Sequence, residues 1–423
     1  MFSGNILNDN INDAPTIRLV NSIIERAILE RASDIHIEPK EKELQVRMRI
    51  DGMLRKILTI PKNLQNSVIS RIKIMSGMDI AERRIPQDGR FNVKNKKREY
   101  DLRVSSLPTV YGEKIVARLL DKRAGYLTPD SIGLSGSNLE KYKRAIHCTS
   151  GVVLIAGPTG SGKSSTMNTM ISQLNTEEVN LVTLEDPVEY NIDGVNQVQI
   201  NEKTGMDFAN GLRAILRQDP DIIAVGEIRD GETAQISMRA AITGHVVLST
   251  IHTNDAVGTI ERLEDIGVEP YLIATALRGV ISQRLVRRIC PKCKKSYEAS
   301  DEEVRRLGLS AERKHIFYRG EGCADCFNTG YRGRIGVFEI LEITPELRTI
   351  ISQGAGRPAI EKELASDRSE FKTLRENAIE LVEEGITTAE EVQRVIYETG
   401  DVKTVQEETE DKNIHEAENI NYV

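Results

Sequence analysis

The segment from Gly157 to Ser164 has residue types and spacing suited to holding a phosphate group. It matches the pattern G-x-x-x-x-G-K-[ST], and its residues, with the serine that follows, are Gly157, Pro158, Thr159, Gly160, Ser161, Gly162, Lys163, Ser164 and Ser165. Glycines let the backbone curl so that successive N–H groups face the phosphates, and a helix beginning here adds partial positive charge. Lys163 would bridge the β- and γ-phosphates of ATP, and the Ser164 hydroxyl would hold Mg²⁺. An apolar run before the segment and a helical pattern over 165–174 favour this interpretation over a chance glycine-rich turn.

Three further apolar runs end next to side chains that could act on a bound phosphate. They are Glu227 after the run 222–225, Glu185, Asp186 and Glu189 after the run 179–184, and His252 after the run 246–249. Because chemistry gathers at the carboxyl ends of strands in open α/β sheets, we expect these side chains near the phosphate loop. The carboxylates could hold the Mg²⁺ shell or orient water, and His252 could sense the γ-phosphate. A solvated acidic turn and a structural histidine are the alternatives.

The elements that must position these groups fall into two parts of the chain, which differ in the periodicity of their apolar residues. Before residue 121, helical spacing predicts helices over 15–31 and 62–76. In the same part, alternation of apolar and polar residues predicts strands at 44–50, 53–60, 90–93, 99–105 and 113–120, with Asp51-Gly52 as a hairpin turn. Beyond residue 151, short apolar runs alternate with helical segments, which is typical of buried parallel strands. The segment 345–400 is interpreted as several amphipathic helices. The sequence thus predicts an antiparallel α+β part followed by a parallel α/β sheet.

Four of the five cysteines form two C-x-x-C pairs, Cys290 with Cys293 and Cys323 with Cys326. Two such pairs provide a closed tetrahedral Cys₄ site suited to structural Zn²⁺. Thiol redox activity and free cysteines in a core are the alternatives. The fifth, Cys148, is expected to pack as a small apolar residue.

Composition narrows the function classes. The net charge of −7 and the aromatic content of 4% do not favour a nucleic-acid binder, which usually has a basic face and stacking aromatics. No stretch approaches the ~20 apolar residues of a membrane span, and the N-terminus lacks the pattern of a signal peptide. We therefore expect a cytoplasmic chain that reaches a membrane only through partners.

In combination, these motifs resemble the secretion-ATPase superfamily, specifically the GspE/PilB-type ATPases of type II secretion and type IV pilus assembly. The resemblance covers about residues 15–400 in order, with the two cysteine pairs. Its segments are ASDIHIEP (32–39), RIDGMLR (49–55), IPQDGRF (85–91), GPTGSGKSS (157–165), LEDPVEY (184–190), LRQDPDIIAVGEIRD (216–230) and TGHVVLSTIHTNDA (243–256).

The resemblance implies a hexameric ring in which each subunit has a PAS-like domain and a RecA-like ATPase domain, with ATP in the cleft between them. The predicted regions are an N-terminal PAS-like α+β domain (1–124), a linker (125–136), a RecA-like core (137–289), a zinc-binding module (290–335), a C-terminal helical region (336–400) and an acidic disordered tail (401–423).

The resemblance also implies roles for single residues. Glu189 matches the last glutamate of the family's Asp box, the general base, and Glu227 matches the Walker-B glutamate. His252 matches the His-box residue near the γ-phosphate. Arg90 and Arg103 stand where the family has arginines that reach a nucleotide site across the ring, and Arg118 is a third candidate. A solvated basic sheet edge is the alternative for these arginines.

Departures from the family refine the prediction. Members often carry a further domain before the segment matching residue 15, which docks the ATPase to a membrane-associated partner, and this chain lacks it. Ser165 stands where many members have Thr. The two cysteine pairs favour assembly and export types over retraction types. We therefore predict a traffic ATPase that pushes pilin or pseudopilin subunits out of the membrane through an inner-membrane platform protein. The rivals are a nucleic-acid translocase on the same core and a non-catalytic assembly factor.

Overall fold

The computed structural model describes residues 15–95, 98–121, 127–366 and 370–396. The acidic tail predicted at 401–423 lies outside the described residues, as do residues 125 and 126 at the start of the predicted linker. The α-helices are α1 (Pro15–Leu29), α2 (Gln65–Met75), α3 (Pro129–Ile132), α4 (Gly136–Ile146), α5 (Lys163–Leu174), α6 (Phe208–Ile215), α7 (Gly231–Ile242), α8 (Val257–Asp265), α9 (Pro270–Ala276), α10 (Asp301–Arg306), α11 (Pro345–Ser352), α12 (Gly356–Leu364), α13 (Leu374–Glu383) and α14 (Ala389–Ile396). The strands are β1 (Ala32–Pro39), β2 (Glu43–Ile50), β3 (Met53–Pro61), β4 (Gln87–Asn95), β5 (Arg98–Thr109), β6 (Gly112–Asp121), β7 (Gly151–Ala156), β8 (Leu181–Glu185), β9 (Asn196–Gln199), β10 (Ile222–Val225), β11 (Val246–Ile251), β12 (Leu277–Ile289), β13 (Lys294–Glu298), β14 (Ile316–Gly320) and β15 (Tyr331–Glu342).

The chain divides into two compact units, which are described separately. The first consists of Met1–Ile132 and Ser164–Gly226, and the second of Gly133–Lys163 and Glu227–Val423. The domain boundaries expected from the sequence stay predictions. No helix of the described residues is long and apolar enough to cross a bilayer.

The first unit contains an antiparallel six-stranded sheet in the order β3-β2-β1-β6-β5-β4. In β2 the apolar residues Leu44, Val46, Met48 and Ile50 are buried, whereas the polar residues between them are half-buried. This alternation turns one face of the sheet toward a core that α1 and α2 share. Asp51 and Gly52 both have positive φ, as a two-residue hairpin turn requires. The strands predicted in this part are confirmed.

β1 was not predicted as a strand, although it lies in the middle of this sheet between β2 and β6. Its polar residues Asp34, His36 and Glu38 alternate with Ile35 and Ile37. The apolar half of the alternation is short and is easily missed. Asp34 and Glu38 pair with charged residues of the neighbouring strands β2 and β6, which allows these carboxylates to be buried.

The same unit also contains three short parallel strands in the order β10-β8-β9, with α5 and α6. β8 begins at Leu181, two residues after the predicted start, and β10 has the predicted bounds. Both strands consist almost entirely of buried residues, as expected for parallel strands covered on both faces.

In the second unit, four strands pair in the order β15-β12-β7-β11, and β13 and β14 form a separate antiparallel pair. β7 pairs in parallel with β11 and β12, and β15 pairs antiparallel with β12. All six residues of β7 and all six of β11 are buried. The predicted α/β fold class with parallel strands is confirmed, but the long strands β12 and β15 were not foreseen. Polar residues such as Gln283, Arg284 and Glu339 interrupt their apolar pattern.

The four helices α11 to α14 confirm the helical interpretation for the described part of 345–400. Of these, α13 and α14 pack on β12 and β15. Their shared core includes Val286, Val337, Leu374, Ala378 and Val392. A buried ion pair joins the helices to the sheet, since the Arg287 guanidinium donates to the Glu391 carboxylate at 2.7 Å and 2.9 Å. The C-terminal helices are therefore fixed to the strand that runs beside β7.

Candidate active site

The phosphate loop follows β7 and leads directly into α5. Gly157 has φ +150°, and a Cβ at this position would lie 2.5 Å from Ser161 Oγ and 2.7 Å from the Gln283 carbonyl oxygen. Only glycine fits this close approach. The sequence signature therefore corresponds to a real steric requirement at the base of the loop.

Lys163 points back into its own loop. Its Nζ donates to the carbonyl oxygens of Gly157 and Pro158, at 2.8 Å and 3.1 Å. Burial lowers the pKa of Lys163 to about 8, with Arg284 adding to the effect and Glu227 opposing it. An anion at this loop would meet a cation that is already oriented and partly desolvated, which strengthens their attraction. Ser164, the next residue of the helix, is exposed.

Glu227 and His252 lie together in the same unit as Lys163. His252 Nε2 is 3.5 Å from Glu227 Oε2, and the Arg229 guanidinium pairs with the other carboxylate oxygen of Glu227. Burial and the charge of Lys163 lower the pKa of His252, so its imidazole is neutral near pH 7. A neutral imidazole can donate one hydrogen bond and accept another. Three of the predicted site residues, Lys163, Glu227 and His252, thus interact around one loop.

Gln283 is a contact that sequence reasoning missed. Its side-chain amide donates to the Ser161 carbonyl oxygen at 2.8 Å, and the residue is 1% exposed. It lies on β12, beside β7, and its hydrogen bond supports the phosphate loop. No local motif marks this glutamine, because the sequence places it more than one hundred residues after the loop.

The acidic loop after β8 carries two glutamates with different surroundings. Glu185 Oε1 accepts hydrogen bonds from the Thr183 hydroxyl at 2.6 Å and from the Gln197 amide at 2.9 Å. Glu189, in contrast, is exposed, and so is Asp186. Glu185 is therefore held as part of the fold, whereas Glu189 is exposed to solvent.

The predicted arginines form one row across the antiparallel sheet. Arg90 on β4 lies directly opposite Arg103 on β5, and Arg103 lies directly opposite Arg118 on β6. The row continues through Asp34 on β1 to Arg49 on β2. Directly opposite residues share a face of the sheet, and like charges in that position destabilise it. We call these five residues the arginine row.

The two ends of the arginine row differ in their partners. Asp34 is 3.1 Å from Arg118 and 3.7 Å from Arg49, so it neutralises one end. Arg103 lies 3.8 Å from Asp101, and it donates to the Val188 carbonyl oxygen at 3.4 Å, next to Glu189. Within the first unit, Arg103 and the acidic loop are thus neighbours.

The four paired cysteines form a cluster whose Sγ atoms all lie within 4.8 Å of one another. Sγ···Sγ distances are 3.8 Å for Cys290–Cys323, 3.8 Å for Cys293–Cys326 and 3.7 Å for Cys323–Cys326. A tetrahedral site with Zn–S bonds of about 2.3 Å requires separations of roughly 3.8 Å. Backbone N–H groups of Cys323 and Gly330 also donate to Cys326 Sγ, as they would to a thiolate. The donor set fits a closed tetrahedral metal site.

The arrangement around Lys163 is that of a P-loop nucleotide-binding enzyme, and comparison with known proteins identifies its family. Residues 9–394 match the sequence profile of the family described as "Type II/IV secretion system protein". The chain belongs to this family and is an ATPase of the secretion type, as the resemblance predicted.

Two relatives illustrate the match. The chain is 47% identical to "Type II secretion system ATPase E" of Vibrio cholerae over 388 residues, which covers 92% of this chain and 76% of the relative. It is 49% identical to "Type IV pilus assembly ATPase PilB" of Thermus thermophilus over 384 residues, which covers 90% of this chain and 43% of that relative. The chain is thus similar to proteins from both systems.

A solved structure supports the fold. The Legionella pneumophila ATPase DotB superposes with a TM-score of 0.66 at 22% identity, over 92% of this chain and 97% of that chain. At this identity the comparison bears on the fold alone, which agrees with the predicted α/β class.

Proposed function

We propose that this chain forms a homo-hexameric ring at the cytoplasmic face of a membrane, where ATP hydrolysis powers the assembly of pilins or pseudopilins. The grouping of Lys163, Glu227 and His252 around the P-loop carries the proposal. The relatives named for type II secretion and for pilus assembly support it. An inner-membrane platform protein would receive the work, because no helix of the described residues could span the bilayer.

The proposed reaction is attack of water on the γ-phosphorus of ATP. The new P–O bond forms as the bond to the bridging oxygen of ADP breaks, and Glu189 takes the proton from water. Lys163 stabilises the charge on the β- and γ-phosphates, and Ser164 would hold Mg²⁺, which neutralises charge that develops on the leaving group. Neutral His252 is suited to a hydrogen bond with a γ-phosphate oxygen. The Glu227 carboxylate would orient either the ligands around Mg²⁺ or the attacking water.

Arginines of the row would complete the site when the ring closes. A positive charge delivered by another domain stabilises the loose transition state and can be worth about 10³-fold in rate. The like-charged neighbours Arg90, Arg103 and Arg118 support this role, because their repulsion falls when an anion lies among them. Hydrolysis would then depend on domain position, which is how chemistry becomes motion.

The cysteine cluster would hold one Zn²⁺ in a structural role. Four thiolates close the coordination shell, so no position is left for water. The cluster follows β12 and precedes β15 in the chain. The first half of β12 pairs with the P-loop strand β7, and β15 pairs with β12, so the metal would stiffen the connection from this sheet to the C-terminal helices.

The proposal is tested by phosphate release from Mg·ATP by four forms of the chain. Lys163→Ala and Glu189→Gln should each lower kcat by about 10²-fold or more, since one loses phosphate charge stabilisation and the other loses the base. Glu185→Gln is the matched control. Its side-chain oxygen can still accept from Thr183 and Gln197, so kcat should stay within about threefold of wild type.

Comparable rates in all four forms would contradict the enzyme mechanism. A large loss of activity in Glu185→Gln together with full activity in Glu189→Gln would show that Glu185, and not Glu189, is the base. Size-exclusion chromatography with light scattering on the same samples tests the hexamer separately.

A further inference from the structure

Glu339 on β15 is a buried carboxylate that the proposed reaction does not use. The residue is 4% exposed, and burial raises its pKa to about 7. Burying a carboxylate is unfavourable unless its oxygens find hydrogen-bond donors, and an apolar side chain would normally be more stable in such a place. The presence of Glu339 therefore calls for a specific reason.

The two oxygens of Glu339 hold the starts of two helices that are distant in sequence. Oε1 accepts from the Ala256 backbone N–H at 2.7 Å, and Oε2 accepts from the Leu374 backbone N–H at 2.9 Å. Ala256 precedes α8 and has no side-chain cap of its own. Leu374 is the first residue of α13. A carboxylate near a helix N-terminus is favourable because it meets unpaired N–H groups and the positive end of the helix dipole.

Ala256 also ends the loop that carries His252. Arg284, on the neighbouring strand β12, donates to the Asn254 carbonyl oxygen of the same loop at 2.8 Å. Arg284 is 4% exposed, and Glu339 acts on it electrostatically. The His252 loop is thus held at two backbone positions by two buried charges of opposite sign.

Gln283, which precedes Arg284 on β12, contacts the phosphate loop. Gln283 donates to the Ser161 carbonyl oxygen, and Arg284 donates to the Gln283 carbonyl oxygen at 3.1 Å. A continuous path of hydrogen bonds and backbone then runs from the phosphate loop through Gln283, Arg284 and the His252 loop to Glu339 and α13. All of these residues lie in the second unit.

Several buried polar atoms along this path have no hydrogen-bond partner among the described residues. They are Ser161 Oγ, Ser282 Oγ, Gln283 Oε1 and Arg284 Nε. Buried polar groups are normally satisfied, so unmet ones favour an alternative arrangement that pairs them. A path with unused donors and acceptors can switch its hydrogen bonds without breaking the apolar core around it.

We propose that Glu339 and Arg284 are positioning residues that couple the nucleotide loops to the first turn of α13, so that nucleotide binding changes the C-terminal helices. The proposal rests on the proposed function, because it takes the phosphate loop and the His252 loop as the ATP site. Neither residue touches the nucleotide in this scheme. Glu339 acts through the backbone at Ala256, and Arg284 acts through the backbone at Asn254.

The test is hydrogen exchange by mass spectrometry on the full chain, with and without a non-hydrolysable ATP analogue and Mg²⁺. In wild type the analogue should slow exchange about tenfold in the phosphate loop, and should also change it about tenfold at 253–258 and 374–378. In Glu339→Gln the phosphate loop should still respond, whereas the response at 374–378 should fall below about twofold. The amide of Gln has only one acceptor oxygen, so it cannot satisfy both backbone N–H groups.

Two further variants make the test specific. Arg284→Lys keeps the charge but loses the fixed fork of donors, so it should weaken the response at 374–378 and serves if Glu339→Gln does not fold. Glu342→Gln is the matched control on the same strand. Glu342 pairs with Arg144 near the surface, and its loss should leave the exchange response unchanged.

Kinetics supply a readout that a merely structural role would not change. In Glu339→Gln, kcat for ATP should fall about tenfold while KM stays within about twofold, since the phosphate loop is intact and the His252 loop is displaced. Absence of any phosphate-loop response in wild type would refute ATP binding there, and with it the coupling. A normal phosphate-loop response with an undiminished response at 374–378 in both Glu339→Gln and Arg284→Lys would overturn the coupling alone.

Discussion

The phosphate loop and the arginine row hold positive charge in opposite ways. Within the loop, Lys163 is buried and held by carbonyl oxygens of residues five and six positions before it. The arginine row, in contrast, is spread over five strands, and Arg90, Arg103 and Arg118 face one another without an anion between each pair. The loop is complete within one short segment. The row gains its charge density only after the whole sheet has paired.

This difference separates the tasks of the two regions. A loop with internal partners can bind phosphate in a single subunit, because its cation is oriented in advance. A row of like charges stores repulsion that a phosphate or an acidic surface would relieve. The row is therefore suited to contact an approaching phosphate or acidic surface, whereas the loop is suited to hold a bound phosphate. Variants can break this comparison at several points.

The largest effect is expected from Arg103→Gln. Arg103 is the middle of the three neighbouring arginines and lies beside the acidic loop, so kcat for ATP hydrolysis should fall by about 10²–10³-fold. Binding of the ATP analogue should change less than about threefold, because the phosphate loop is untouched. Steady-state phosphate release and fluorescence titration of a labelled nucleotide measure the two quantities.

Arg49→Gln is the control from the other end of the same row. Arg49 already has Asp34 as a counter-ion and lies two strands beyond Arg118, so its loss should change kcat less than about threefold. Equal losses in the two variants would mean that the row acts through its total charge, and the comparison between its ends would fail.

Removing the metal from the cysteine cluster should have the next largest effect, on stability. We expect one Zn²⁺ per chain in the wild type, and none in Cys293→Ser, because a hydroxyl is a poor replacement for a thiolate. The variant should unfold about 10 °C below wild type, since structural zinc contributes several kcal/mol. Elemental analysis and calorimetry measure zinc content and Tm.

The position of the loss tests the comparison. Hydrogen exchange in Cys293→Ser should rise around β13 and β14 and in the C-terminal helices, while β4, β5 and β6 keep their protection. Cys148→Ser, the cysteine outside the cluster, should retain zinc and Tm. Zinc loss without any fall in Tm would leave the cluster without a structural role.

The sequence predicted those parts of the site whose residues lie close together along the chain. Steric demand at Gly157 and the tight C-x-x-C turns act over a few residues, so their motifs are visible without a fold. Arg90 and Arg103 were found through the resemblance, but their placement in one row depends on strand register, which arises from pairing over long distances. The roles of the predicted site residues stay predictions.

The missed strands share a physical cause. β12 and β15 carry Gln283, Arg284 and Glu339 at buried positions, and these polar residues interrupt the apolar pattern by which a buried strand is normally found. Their burial is stable because their partners are backbone groups of other segments. No local pattern specifies such partners. The polar residues that hid these two strands from prediction are the same residues that connect the nucleotide loops to the C-terminal helices.

The smallest effect is a pH dependence that arises from one buried carboxyl group. Burial raises the pKa of Glu339 to about 7. Between its unfolded pKa of roughly 4.5 and about 7, the folded chain binds more protons at Glu339 than the unfolded chain does. This group therefore favours the folded state most at low pH, and its contribution is lost as pH rises toward 7.

The expected size follows from the shift, which corresponds to about 3 kcal/mol at most, or roughly 5 °C in Tm for a unit of this size. Calorimetry of wild type and Glu339→Gln at pH 5 and pH 8 should show wild type losing about 5 °C relative to the variant, whose amide does not titrate. A constant difference between wild type and Glu339→Gln across this range would mean that Glu339 keeps one protonation state throughout. The coupling path would then have no proton to lose, and the hydrogen bonds from Ala256 and Leu374 alone would define the role of this carboxyl group.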